Sequence, residues 1–233
     1  MTTFVLVPGA FHGGWWYEPL VRELRKLGHT AHPLTLTGIG DRAHLISASV
    51  NLDTHIQDVV GLLETEDITD AVLCGHSAGG MVIAGAADRV PERIDAVVHV
   101  DAFVPGDGDS MWDLAGEYWQ RQYLAGTGVN GYTFDPFPGL DPRTTPHPLA
   151  AALQRIRLTG AAARIRRRDF VYLAAFEETP FAGTFERLRN DPAWHVHSLP
   201  YGHNIIGEAP DELLRILLAA AQSNRKRSTE PEA

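Results

Sequence analysis

The sequence has little cysteine and an excess of acidic over basic side chains. Its single cysteine, Cys74, excludes an intrachain disulfide framework and a zinc site built from several cysteines. Lys and Arg number 20 against 29 Asp and Glu, a net charge of -9, which disfavours nucleic acid or an anionic membrane as a partner. The one arginine-rich run, Arg164-Ile165-Arg166-Arg167-Arg168, is interpreted as a solvated helix end.

Targeting and cofactor signals are also missing. The first apolar run, residues 4–7, is too short for a signal peptide or a membrane span and has no basic region before it. There is no phosphate-binding loop, and Gly38 and Gly40 lack the third glycine of a dinucleotide fingerprint. We therefore expect a cytoplasmic protein with no metal and no organic cofactor.

What the sequence does contain is an alternation of short apolar runs and helical patterns. Apolar residues recur with a period of about 3.6 in the helical segments. The predicted strands are 4–7, 30–36, 71–74, 96–100, 170–175 and 194–199, and the predicted helices include 16–27, 54–63, 79–89 and 211–222. Strand–helix–strand repetition predicts an α/β fold with a mostly parallel sheet covered on both faces.

The alternation of predicted strands and helices stops after Pro105. Residues 106–168 are rich in glycine, proline and aromatics, with helices predicted at Met111–Leu124 and Leu149–Ile165. We predict a core made of residues 1–105 and 169–222, with 106–168 inserted as a lid. The polar tail, 223–233, is expected to be disordered.

A serine stands among glycines where a predicted strand meets a predicted helix. The segment Gly75-His76-Ser77-Ala78-Gly79 fits a G-x-S-x-G turn, in which small residues let the chain pass closely while the serine is exposed. Ser77 is therefore predicted to be a nucleophile. His76 is interpreted as structural, because neighbouring side chains on a sharp turn diverge.

A nucleophilic serine needs a base, and the base needs an acid that orients it. His203 follows the last predicted strand and is the predicted base. Two acids are candidates: Asp101, at the end of the strand after the nucleophile helix, and Glu178, after the next strand. Asp101 is preferred because a carboxylate ending an apolar strand is costly without a partner.

An oxyanion intermediate needs hydrogen-bond donors. The backbone N–H of Ala78 follows the nucleophile directly and is the first predicted donor. The loop after the first strand, Pro8 to Trp15, is rich in glycine, and the N–H of Ala10 is the second predicted donor.

Five stretches of the sequence together carry a family resemblance. They are Val5–Trp15, Gly28-His29, Gly75–Met81, Asp101–Pro105 and Gly202-His203. The sequence resembles the α/β-hydrolase superfamily, and more narrowly the branch of plant methyl esterases, hydroxynitrile lyases and bacterial pyrethroid-hydrolysing carboxylesterases. The resemblance implies the α/β-hydrolase fold, with the oxyanion residue at Ala10, the nucleophile at Ser77 and the base at His203.

The sequence also departs from that branch. Many relatives have His-Gly where this chain has Pro8-Gly9, and plant members have an aspartate where the nearest match here is Glu178. Hydroxynitrile lyases carry a lysine directly after the catalytic histidine. This chain has Asn204 there, which argues against cyanohydrin cleavage. The serine nucleophile argues against dehalogenation, which uses an aspartate.

Aromatic residues are concentrated in the predicted lid. They are Trp112, Tyr118, Trp119, Tyr123, Tyr132, Phe134 and Phe137. Phe11, His12, Trp112 and Trp119 are predicted to contact a substrate, which we expect to be a hydrophobic or aromatic ester, with a lactone as another candidate. The apolar lid is also a candidate homodimer face.

Two other functions stay open on the sequence alone. The same fold and residues could serve a C–C lyase, an isomerase or a cyclase, because the pocket sets the chemistry. The scaffold could also serve a ligand-binding receptor that has lost turnover.

Overall fold

The main sheet has six strands, all parallel. The computed structural model describes residues 1–222, so the tail predicted to be disordered lies outside the described residues. The strands are β1 (Thr3–Val7), β2 (Thr30–Pro33), β3 (Ala71–His76), β4 (Ile94–Val100), β5 (Thr133–Phe134), β6 (His147–Pro148), β7 (Arg167–Leu173) and β8 (His195–Leu199). The main sheet has the order β2-β1-β3-β4-β7-β8, and β5 pairs with β6 in an antiparallel ribbon. The predicted α/β class and parallel sheet are confirmed.

Helices cover both faces of this sheet. They are α1 (Glu18–Lys26), α2 (Leu52–Thr65), α3 (Gly79–Arg89), α4 (Met111–Ala125), α5 (Leu149–Leu153), α6 (Ala182–Leu188), α7 (Ile205–Glu208) and α8 (Pro210–Gln222). Successive side chains of a strand point to opposite faces. Phe4 and Leu6 therefore pack with α1 and α8, while Val5 and Val7 pack with α2 and α3. Each such buried side chain contributes roughly 1.5–3 kcal/mol.

The segment between β4 and β7 contains α4, α5 and the β5–β6 ribbon. Helix α4 is interrupted at Gly116, whose φ of 77° is left-handed. Trp119 on α4 donates its Nε1–H to the backbone carbonyl of Glu178, at 2.7 Å, which ties this segment to the loop after β7. The division of the chain into a core and an inserted lid stays a prediction.

One predicted helix, Leu149–Ile165, is wrong beyond its first turn. Helix α5 ends at Leu153, and a short 3₁₀ turn follows only at Ala161–Arg164. Carboxylates take the backbone N–H groups that a continuing helix would use: Asp107 accepts from Leu158 at 2.8 Å, and Asp88 accepts from Thr159 at 2.6 Å. These long-range hydrogen bonds outweigh the local helical pattern.

The arginine-rich run is a helix end only at Arg164, the last residue of the 3₁₀ turn. It enters β7, where the side chain of Arg167 binds the buried carboxylate of Asp169 with Nε to Oδ2 at 2.5 Å. Over residues 1–222, none of the helices is both long enough and apolar enough to cross a membrane.

Candidate active site

Ser77 lies on a strained turn between β3 and α3. Its φ of 52° is in the left-handed region, which a serine adopts only at a cost of about 1–3 kcal/mol. A Cβ on Gly75 would lie 2.7 Å from the carbonyl oxygen of Gly79, so the turn is too tight for a side chain there. The Ser77 N–H donates to the carbonyl of Val100 at 3.2 Å, and this bond fixes the turn to the end of β4.

Asp101 follows β4 directly and is fully buried. Its φ is also positive, at 41°, and its N–H donates to the carbonyl of Val171 at 2.6 Å. Its Oδ1 accepts the N–H of Leu173 at 3.2 Å, and its Oδ2 lies 2.6 Å from Nδ1 of His203. The carboxylate therefore holds the His203 ring with the proton on Nδ1, which leaves Nε2 free to accept a proton.

Glu178, the alternative acid, is placed differently. Its side chain is exposed, and its backbone carbonyl is the group that Trp119 binds. His203 makes its carboxylate hydrogen bond to Asp101 instead. The geometry favours Asp101 as the acid.

Aromatic rings pack against His203. Phe176 stacks on it with ring centroids 4.6 Å apart at 24°, and Phe181 lies at 5.9 Å and 22°. His76 lies 4.3 Å away and donates Nε2–H to the backbone carbonyl of His203 at 2.9 Å. Burial, together with the nearby His203 and His12, holds the pKa of His76 well below its usual range, so His76 is a neutral support for the His203 loop.

The loop after β1 passes directly over the serine. A Cβ on Gly9 would lie 2.9 Å from that of Ser77, and Phe11 has a left-handed φ of 72°. This loop brings Ala10 to the same cavity as Ser77, while Ala78 lies immediately before α3. Both residues that were predicted as oxyanion donors therefore flank the serine.

Ser77 and His203 open on one cavity of about 250 Å³. Of the predicted substrate contacts, Phe11, His12 and Trp119 lie on its wall. Trp112 does not: its ring instead faces Tyr123, with centroids 6.5 Å apart, and it packs against the core. The other apolar side chains of the wall are Phe103, Met111, Tyr123, Phe137, Leu140, Phe176, Pro180 and Phe181.

Sequence reasoning missed Phe176 and Phe181. Both lie between the end of β7 and the start of α6. In that segment, only Glu178 was predicted from the sequence to belong to the site. An aromatic residue beside a predicted active-site carboxylate was the available signal. Within residues 1–222, no group of three or more His, Cys, Asp or Glu is arranged to hold a metal ion.

Comparisons with known proteins indicate a single family. The model of the alpha/beta hydrolase family matches residues 4–216. The chain is 34% identical to a carbendazim hydrolyzing esterase of Nocardioides sp. (strain SG-4G), over 94% of this chain and 99% of that protein. It is 29% identical to methyl jasmonate esterase 1 of Vitis vinifera, over 66% of this chain and 60% of that protein.

Solved structures show the same fold. An extracellular alpha/beta-hydrolase from a Paenibacillus species superposes with a TM-score of 0.81 at 24% identity, covering 94% of this chain and 99% of that one. A pyrethroid hydrolase from Sphingobium faniae JZ-2 superposes with a TM-score of 0.80 at 20% identity, covering 97% and 99%.

These matches define the class of protein. The chain belongs to the alpha/beta hydrolase family. Within that family, its similarity to named esterases over most of its length makes it a carboxylic ester hydrolase.

Proposed function

We propose that this protein hydrolyses small hydrophobic carboxylic esters through an acyl-enzyme on Ser77. One observation carries the proposal. His203, bonded through Nδ1 to the fully buried Asp101, opens on the same apolar cavity as the strained Ser77. A nucleophile, a base and an orienting acid are the three parts that serine acyl transfer requires.

The chemistry follows from the position of the protons. Nε2 of His203 takes the hydroxyl proton of Ser77 as Oγ attacks the ester carbonyl, and Asp101 stabilises the imidazolium that forms. The backbone N–H groups of Ala10 and Ala78 bind the oxyanion. His203 then protonates the leaving alkoxide, which departs as the alcohol.

The second half of the reaction repeats these steps with water. His203 takes a proton from water as the water oxygen attacks the acyl-enzyme carbonyl. The new oxyanion collapses, Oγ of Ser77 leaves and regains its proton from His203, and the carboxylic acid is released. Every proton removed is returned, so the protein's own groups suffice.

The substrate is proposed to be a hydrophobic or aromatic ester, with lactones as a second class. The wall of the cavity is built from aromatic rings such as Trp119, Phe137 and Phe176. Apolar walls favour apolar ligands and leave orientation to a few polar groups. The similarity to an esterase named for hydrolysing carbendazim supports a small-molecule substrate.

Covalent labelling tests this proposal directly. The protein is incubated with p-nitrophenyl butyrate, quenched in acid and analysed by intact mass and peptide mapping. We expect a butyryl group on Ser77, and none in the Ser77→Ala variant. Labelling elsewhere, or no labelling and no p-nitrophenol release, would contradict the proposed acyl-enzyme.

The substrate class has its own test. Methyl phenylacetate should be hydrolysed with a higher kcat/KM than monomethyl succinate, because the cavity desolvates an apolar group well and a carboxylate poorly. Faster turnover of the charged ester would contradict the proposed preference.

A further inference from the structure

His12 lies on a wall between two cavities. One is the apolar cavity of Ser77, and the other is an adjoining space of about 350 Å³, here called the polar compartment. The polar compartment is bordered by Trp15, Asp141, Arg143 and Asn204, and it shares His12, His76, Leu140 and His203 with the apolar cavity. His12 therefore borders both spaces next to His203.

The tautomer of His12 follows from its hydrogen bond. Nδ1 lies 2.8 Å from the backbone carbonyl of Ala10, and a carbonyl can only accept, so Nδ1 carries the proton. Burial lowers the pKa of His12 and outweighs the opposing influence of the Ala10 carbonyl and of Asp141. The ring is therefore neutral, and Nε2 presents a lone pair. Among residues 1–222, Nε2 has no hydrogen-bond partner.

Several other polar groups of the compartment are already engaged. Nε1 of Trp15 and Nδ1 of His76 have no hydrogen-bond partner within residues 1–222, but both atoms are fully buried. Asp141 and Arg143 bind each other, with Nε to Oδ1 at 2.9 Å and a terminal nitrogen to Oδ2 at 2.8 Å. The side chain of Asn204 accepts the N–H of Gly207 at 3.2 Å at the start of α7. The Nε2–H of His76 is used by the His203 carbonyl.

The position of the His12 ring is fixed on two sides. Its centroid lies 5.5 Å from that of Trp15 and 5.6 Å from that of Trp16. Its hydrogen bond joins it to Ala10, the residue whose N–H is the proposed oxyanion donor. The His12 ring is thus held on the wall of the cavity that Ser77 lines, with little freedom to turn away.

We propose that Nε2 of His12 accepts a hydrogen bond from an O–H or N–H group on the acyl atom next to the scissile carbonyl. This makes His12 a specificity-determining residue that favours esters with such a donor, 2-hydroxy esters above all. The inference rests on the proposed function, because that function defines where the scissile carbonyl of the ester binds. Its prediction is a binding preference, which is measurable without turnover.

The test uses the Ser77→Ala variant, which keeps esters intact. Dissociation constants are measured by calorimetry for methyl phenylacetate, each enantiomer of methyl mandelate, and methyl α-methoxyphenylacetate. The hydroxyl donor of one mandelate enantiomer should give about tenfold tighter binding than either ester without a donor, the usual size of a neutral hydrogen bond. The methoxy ester separates donation from simple bulk.

The matched variant is His12→Asn in the same Ser77→Ala protein. The side-chain amide of asparagine can replace Nδ1–H on the Ala10 carbonyl but does not reach the position of Nε2. The preference for mandelate over phenylacetate should disappear. This preference is a ratio of two dissociation constants measured in the same protein, so a substitution that weakens the binding of both esters equally leaves it unchanged.

Two results would overturn the inference. One is equal binding of mandelate and phenylacetate in Ser77→Ala, a comparison that does not depend on the stability of His12→Asn. The other is a preference that survives in His12→Asn. Failure of the esterase proposal is seen separately, as absence of turnover of every ester by the protein with Ser77 intact.

Discussion

The molecule contains two buried aspartate–histidine pairs that match in burial and in hydrogen-bond length. Asp101 and Asp169 are both fully buried, and each binds a histidine: His203 at 2.6 Å and His197 at 2.8 Å. The two histidine side chains are 30% and 29% exposed. Judged by distance and burial alone, either pair could belong to a catalytic triad.

What separates the pairs is their position on the sheet. Asp101 stands just past the end of β4, where its histidine shares a cavity with Ser77. Asp169 lies within β7, and its histidine lies within β8. Burial opposes ionisation of Asp169, but hydrogen bonds from His197 and Arg167 outweigh it and hold its pKa below the usual range. The second pair is therefore an ion cluster that stabilises the edge of the sheet.

The largest expected effect is on catalysis by Ser77, which shares its cavity with His203 of the first pair and not with His197 of the second. Ser77→Ala should lower kcat/KM for p-nitrophenyl butyrate by at least about 10⁴-fold, because no nucleophile remains for the acyl-enzyme. Steady-state rates measure this, with circular dichroism as the control for folding. A residual rate within tenfold of the parent protein would contradict the proposed role of Ser77.

The second pair should matter for stability. Asp169→Asn removes the charge that Arg167 and His197 bind, and weaker hydrogen bonds to the neutral amide should cost about 2 kcal/mol in the free energy of unfolding. Urea denaturation measures it. Glu186→Gln, which breaks the exposed pair with Arg189, is the matched control and should cost nothing measurable. Unchanged stability in Asp169→Asn would show that the cluster is not structural.

Because of buried histidines outside both pairs, we expect the free energy of unfolding to fall in acid. Burial lowers the pKa of His99 to about 4, and it also lowers the pKa of His76 and His147. A histidine that stays neutral in the folded state binds its proton only on unfolding, so stability is full above pH 6.5 and falls as the pH drops below it. For His99 the loss between pH 6.5 and pH 5 is about 2 kcal/mol.

Urea denaturation at several pH values tests this prediction. His99→Asn should weaken the pH dependence, because asparagine does not titrate and can still donate to the Phe103 carbonyl that His99 binds at 3.0 Å. Stability that is flat or rises between pH 6.5 and pH 5 would contradict the assignment of a neutral buried ring.

The smallest effect concerns the aromatic ring stacked on His203. Phe176→Leu removes the ring stacked on His203, and kcat/KM should fall by about three- to tenfold. Phe185→Leu is its counterpart, because that ring stacks on Tyr172 at 4.5 Å and 15° and does not line the apolar cavity. An equal loss of kcat/KM in both variants would show that the stacking on His203 has no specific role.

Most of the fold and part of the site could be predicted from the sequence. The strands and helices around Ser77 follow from hydrophobic periodicity, and α3 has the predicted bounds, Gly79–Arg89. The glycines around the serine predicted a tight turn for a steric reason that the structure bears out. Local patterns of this kind can be recognised in a sequence because they depend on residues that are close together in the chain.

The remainder depends on contacts between distant residues. Nothing local shows that the N–H groups after α5 bind Asp107 and Asp88, and the predicted helix fails there. Phe176 reaches His203 only because β7 and β8 are adjacent in the sheet. For the same reason the sequence favoured Asp101 over Glu178 as the partner of His203 without excluding Glu178, and it did not reveal the pair formed by Asp169.

One side-by-side measurement tests the central claim, that Asp101 and not another carboxylate serves His203 in catalysis. It is kcat/KM for p-nitrophenyl butyrate in Asp101→Asn, Asp169→Asn and Glu178→Gln at a temperature where all three are folded. We expect a loss of about 10³-fold or more for Asp101→Asn and values within about threefold of the parent for the other two. A near-normal rate in Asp101→Asn, with a large loss in either of the others, would contradict it.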